Sequence, residues 1–117
     1  QTEAWFEPPR ALEVFQPDIG RTGFSDGLRQ LEQARIAGVP TTPHMGNGLG
    51  PFQAATLHFA TACGDEYLQE YQAGLAERAT LVGSTAWEYV DGMFNLPDAP
   101  GLGVTVDEQA LARYVVN

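Results

Sequence analysis

Val39-Pro40-Thr41-Thr42-Pro43-His44 is a short run that closes on an ionisable side chain, and its flanks on both sides decide the fold. Runs of this length, bounded by turn residues, have the dimensions of buried strands rather than helices. Upstream, Ser25 or Asp26 can cap a helix carrying Leu28, Leu31, Ala34 and Ile36, and Gly38 closes that helix from the C′ position. Downstream, Met45-Gly46-Asn47-Gly48-Leu49-Gly50 is a loop, and Pro51 suits the first turn of a helix reaching about Ala62.

The arrangement repeats outward at a fixed interval. Val14-Phe15-Gln16-Pro17 ends in Asp18, the central run ends in His44, and Tyr67-Leu68-Gln69 ends in Glu70, so that neighbouring ionisable residues stand 26 positions apart. Strand, helix, strand, helix, strand in units of near-equal length predicts a parallel sheet with right-handed crossovers. A (β/α)8 barrel of typically ~250 residues spends roughly thirty per unit, and such folds gather their chemistry at the C-terminal strand ends. Asp18, His44 and Glu70 are therefore candidate site residues, and the chain is too short for a whole barrel.

The 117 residues, 44% hydrophobic and 18% charged, suit one small domain. Fifteen acidic residues against six arginines and no lysine give a net charge of −9, which argues against a phosphate backbone as partner. The most apolar stretch, Phe52 to Cys63, carries Gln53, Thr56, His58 and Thr61, and the N-terminus lacks the layout of a secretory signal. No membrane partner and a cytoplasmic location are expected. Cys63 stands alone and reads as a small apolar residue on a helix face.

Past Glu70, residues 74–90 show no clear period, and Leu96-Pro97-Asp98-Ala99-Pro100-Gly101-Leu102-Gly103 reads as a surface loop. Val104-Thr105-Val106 suits a short strand, and Asp107 can cap a last helix through Ala110, Leu111 and Tyr114. His58 reads as packing or surface, and Arg21, which follows Asp18, as facing a substrate or, more readily, as held in a salt bridge. The glycine-rich loop before Pro51 also suits a phosphate cradle at a helix N-terminus, although its glycines do not follow the G-x-G-x-x-G order.

An aspartate at one strand end and a histidine at the next can lie side by side. A carboxylate bonded to one imidazole nitrogen fixes the tautomer and raises the basicity of the other, which makes a proton-transfer pair.

Gln16-Pro17-Asp18-Ile19-Gly20-Arg21-Thr22-Gly23, Pro43-His44, Leu68-Gln69-Glu70 and Pro97 to Val104 with Val106-Asp107-Glu108 and Arg113-Tyr114 together resemble the C-terminal part of the mandelate racemase and muconate lactonizing enzyme group of the enolase superfamily. The resemblance covers residues 11–117 and implies a partial (β/α)8 (TIM-like) barrel made of the last three βα units plus a C-terminal tail. On this reading residues 1–117 are one fragment of an enolase-type barrel, with 1–10 a remnant of an earlier strand, 11–73 a βαβαβ core and 74–117 the tail. The resemblance further implies an enzyme, with His44 as acid/base, Asp18 as its orienting partner and Glu70 as the group bonded to an enediolate oxygen. Its reaction would be Mg2+-dependent removal of the proton α to a carboxylate, first of all dehydration of a sugar acid. Racemisation or epimerisation, and lactonising isomerisation, are the alternatives within the group.

Trp5-Phe6-Glu7-Pro8 is similar to the group's fourth strand end, which makes Glu7 the candidate Mg2+ ligand. Only eleven positions separate it from Asp18, where the family places a whole βα unit. One carboxylate holds Mg2+ weakly, because the ion wants several oxygens in octahedral order. Little catalysis by the isolated chain is expected, and open sheet edges predict association with another copy, as a homo-oligomer or as a non-catalytic remnant.

Overall fold

The computed structural model describes residues 3–7, 9, 11–64 and 68–116; Pro8 and Tyr67, which belong to two of the motifs above, lie outside them. Its helices are α1 (Ile19–Thr22), α2 (Phe24–Ile36), α3 (Gly50–Cys63), α4 (Ala73–Ala79) and α5 (Glu108–Leu111), and its strands are β1 (Gly83–Thr85), β2 (Glu88–Val90), β3 (Met93–Asn95) and β4 (Val104–Val106). Glu3–Trp5 form a 3-10 turn where the reading above places a strand remnant.

Among the described residues the expected parallel pairing shows as one bridge, Phe15 with Thr41. The Phe15 amide donates to the Pro40 carbonyl at 2.9 Å, the Thr42 amide to the Phe15 carbonyl at 3.0 Å, and the His44 amide to the Pro17 carbonyl at 3.0 Å. The ladder stops there because proline carries no N–H. Pro17 would have to donate the next bond on the first run, and Pro43 the corresponding bond toward the third. Side chains replace that last pairing: the Thr42 hydroxyl donates to the Leu68 carbonyl at 3.0 Å, and the Gln69 side-chain amide to the Pro43 carbonyl at 2.9 Å. The described residues of the three runs thus keep a 26-residue register.

Two apolar clusters hold these segments. Phe6 and Phe15 meet edge to face at 5.2 Å and pack with Ala34 and Val39. Ile19, Leu31 and Phe59 join α1, α2 and α3 in a second cluster, with Ala62 and Cys63 against it. Gly27 sits in α2 where the two helices close on it, since an added Cβ would lie 2.6 Å from the Ile19 Cδ1 and 3.2 Å from the Phe59 ring. The Arg35 guanidinium reaches from α2 to the Ala62 carbonyl, which satisfies one of the acceptors that a helix end leaves free.

Helix boundaries differ from expectation at the start of α2 and at the end of α5, where Ala112–Tyr114 form a 3-10 turn instead of continuing the helix. Gly38, at φ +66°, follows the C-terminus of α2, and Pro51 occupies the first turn of α3, as their chemistry predicts. The N-cap of α2 is Gly23 rather than Ser25 or Asp26, because residues 19–22 fold as α1 instead of a loop. Asp26 then lies inside the first turn and accepts bonds from Arg29 and Gln30. Leu28 and Ile36 face outward, leaving Leu31 and Ala34 as the buried half of the expected stripe.

The tail contains more structure than its sequence suggests. β1 pairs antiparallel with β4, Ser84 opposite Thr105, and β2 pairs with β3 across the two-residue turn Asp91-Gly92. Both turn residues have positive φ, 51° and 82°, as a tight hairpin of right-handed twist requires. Asp107 caps α5 by accepting the Gln109 and Ala110 amides. The tail meets α3 through Trp87, whose ring stands edge-on to His58 at 4.9 Å, so His58 is a packing residue. Among the described residues no helix is long and apolar enough to cross a membrane.

Candidate active site

The 26-residue register brings His44 and Glu70 into contact. His44 Nδ1 lies 2.8 Å from Glu70 Oε2, the Met45 amide donates to the same oxygen at 3.0 Å, and the Gln72 side-chain amide reaches Oε1 at 3.3 Å. The Met45 amide, with further help from His44 and Gln72, holds the Glu70 carboxyl below the usual carboxylate range, outweighing a push the other way from burial. Glu70 is therefore an ionised acceptor at neutral pH. Both side chains stay partly open to solvent, so the contact positions the ring more than it stabilises the fold.

Asp18 ends the first run as expected, and its ionic partner among the described residues is Arg21, whose Nε lies 3.2 Å from Oδ2. Its Oδ1 is buried and has no hydrogen-bond partner among the described residues. Asp18 still borders the imidazole. A Cβ built on Gly46 would stand 3.1 Å from Asp18 Oδ2 and 3.3 Å from His44 Nε2, so the two groups flank one small space over that glycine.

Neighbouring glycines serve packing. The Phe52 ring occupies the space that a side chain on Gly20 or Gly48 would fill, which ties the loop after His44 to α1 and accounts for part of its glycine content. Gln53, buried on α3, donates to the Gln72 carbonyl at 3.2 Å and steadies the segment that carries Glu70. The sequence reading missed the amides Gln53, Gln69 and Gln72, because hydrogen-bonding side chains leave no periodic signature. An apolar cavity of about 160 Å³ lies between α3 and the tail, lined by Leu49, Pro51, Val82, Val104, Val106 and Leu111 and by none of the three candidates.

Glu7 is exposed in the turn after Trp5. Among the described residues no three His, Cys, Asp or Glu side chains converge as they would to hold a metal ion. The Mg2+ implied by the resemblance thus finds no fitting set of donors here, since that ion needs several oxygens together.

A family model described as enolase C-terminal domain-like matches residues 8–110. The chain is 39% identical over 105 residues to a D-mannonate dehydratase of Caulobacter sp. (strain K31), covering 88% of this chain and 26% of that protein. It is 30% identical over 113 residues to a D-galactarolactone cycloisomerase of Agrobacterium fabrum, covering 89% of this chain and 30% of that one. A solved structure of a member of the enolase superfamily from Agrobacterium tumefaciens superposes with a TM-score of 0.71 at 28% identity, over 88% of this chain and 26% of the other. The chain thus spans between a quarter and a third of the length of these relatives.

Proposed function

The chain belongs to the enolase C-terminal domain-like family, and from that premise we propose that it supplies the proton-transfer sector of an enzyme that dehydrates a sugar acid. The observation that carries this reading is the contact of His44 with Glu70, with Asp18 flanking the same space over Gly46, in a chain whose relatives include a D-mannonate dehydratase. Runs 14–18, 39–44 and 67–70 are read as three adjacent strand ends of a (β/α)8 barrel.

Dehydration breaks the C–H bond α to the carboxylate and the C–O bond at the next carbon. The proton and hydroxyl leave together as water, and the enol that remains becomes a ketone. An imidazole suits both halves, since its ordinary pKa lets it accept the α-proton as base and deliver one to the departing hydroxyl as acid. His44 is assigned that proton. Its two carboxylate neighbours set which nitrogen works and stabilise the imidazolium.

Lactonising isomerisation is the second reading, favoured by the cycloisomerase relative; it shares the α-proton step. Mg2+ is the ion that the family relationship implies, but the chain's described residues offer it no converging donors, and no step is assigned to it. Ile36, 79% exposed, and Leu68, 96% exposed, suit association with another copy or another barrel piece.

A chimera tests the reading. Residues 8–110 replace the matching segment of the Caulobacter relative, and formation of the 2-keto-3-deoxy acid from D-mannonate and D-galactonate is followed. Turnover is expected with His44 and not with His44→Asn, while the isolated chain stays silent. A folded chimera that is inactive with His44 in place would overturn the proposal.

A further inference from the structure

The apolar cavity between α3 and the tail is built from five elements around two small residues. Gly50 opens α3 and Ala79 closes α4, and both line it. A Cβ built on Gly50 would stand 3.7 Å from both Ala79 Cβ and Val104 Cγ1, so α3, α4 and β4 converge there with little bulk between them. Val82, next to β1, and Leu111 of α5 close further sides. We propose that this cavity is a binding site for a small, uncharged apolar molecule of about the size of one six-membered ring.

Size and chemistry both set that class. The cavity holds about 160 Å³, and an apolar cavity of about 150 Å³ takes up a molecule such as benzene. None of the residues lining it is charged, in a chain of net charge −9. Two hydroxyls on its wall are already engaged by the protein itself: Thr80 donates to the Glu77 carbonyl at 2.7 Å, and Thr85 accepts the Trp87 amide at 3.2 Å. A sugar acid would shed its hydration there without meeting a charged partner, which makes its entry unfavourable. The cavity is therefore distinct from the place where the carboxylate substrate of the proposed reaction would lie.

Access needs no unfolding. Leu49, Val106 and Leu111 line the cavity and remain exposed to solvent, so its mouth opens among apolar side chains. Removing that surface from water, together with the surface of the ligand, supplies the driving force.

Benzene, titrated into the 13C-labelled full chain at fixed chain concentration, tests the proposal. Methyl resonances of Val82, Val104, Val106 and Leu111 are expected to shift along one saturable curve, with intermolecular NOEs from benzene to the same methyls. Benzoate, the same ring with a charge, should leave them unmoved. Ala79→Leu, which fills the space beside Gly50, should abolish the saturable shift with the circular dichroism spectrum unchanged. The titration and the NOEs belong to the native chain, so they decide the matter even where that variant fails to fold. Absence of a saturable shift up to the solubility limit of benzene overturns the proposal, as does an equal response to benzoate, or a folded Ala79→Leu chain that still binds. Lining shifts that follow chain concentration instead of benzene would give the cavity to a second copy and overturn it too. No turnover is measured, so the outcome is independent of whether the chimera dehydrates D-mannonate.

Discussion

His44 Nδ1 and Glu70 Oε2 stand 2.8 Å apart although 26 residues separate them, and the same interval spans the bridge between Phe15 and Thr41. The contact is thus a product of segment register rather than of local turn geometry, and its consequences can be measured.

The first concerns pH. The folded Glu70 carboxyl lies below its ordinary value, chiefly through the Met45 amide. Its contribution is present above the unfolded carboxylate value and is lost as pH falls through the folded one. The Met45 amide proton is expected to shift in that acidic window in the native chain and to stay flat in Glu70→Gln. A titration identical in both proteins would show that the amide reports some other group.

Gly46→Ala is expected to fold and to disturb the site. The new methyl would meet Asp18 Oδ2 at 3.1 Å and His44 Nε2 at 3.3 Å, so one side chain must move. Changed ring resonances of His44 with an unaltered circular dichroism spectrum are the anticipated result. Unchanged ring resonances would mean that the space over this glycine is wider than described.

Gly27→Ala sets two effects against each other. Alanine gains about 1 kcal/mol in a helix interior over glycine, but its methyl would press on Ile19 and Phe59 inside a buried cluster, and overpacking costs about 1–3 kcal/mol. The balance is a net loss of about 1 kcal/mol, read as a lower urea midpoint. A higher midpoint would show that Ile19 has room to turn aside.

Burial pushes the Cys63 thiol up to about 11, with Arg35 opposing in part. The thiolate is the reactive form, so iodoacetamide at pH 8 should label the folded chain far more slowly than the chain in denaturant. Because the folded value is raised, any stability the buried thiol confers is lost as pH climbs from its ordinary value of 9.0 toward about 11. Equal labelling rates would argue against the packing of Cys63 on α3.

Much of the organisation was legible because it rests on covalent preference. Gly38 after α2, Pro51 at the start of α3 and Asp107 before α5 act through their own backbone or side chain, and each stands where its chemistry predicts. The sheet was not legible, although its cause was in view: Pro17, Pro40 and Pro43 remove the donors a parallel ladder needs. Asp91-Gly92, flanked by Glu88-Tyr89-Val90 and Met93-Phe94-Asn95, is a strong short-range hairpin signal and could have been read. At the site, the interval fixed which residues meet, but not that Glu70 would take Nδ1 and Arg21 would take Asp18. Those choices depend on side-chain rotamers and amide donors from Met45, Gln72 and Gln53, which no spacing encodes.

The prolines that interrupt the ladder also decide how its opening would be observed. Among the described residues, the amides of Phe15, Thr42, His44 and Met45 are the protons bonded between one run and another, while Thr42 and Gln69 hold the remaining contact through side chains. In hydrogen–deuterium exchange that second set is silent. Among the described residues, separation of the Glu70 segment from the His44 segment would register at the amide of Met45, and Phe15, Thr42 and His44 would lose protection when the first two runs part.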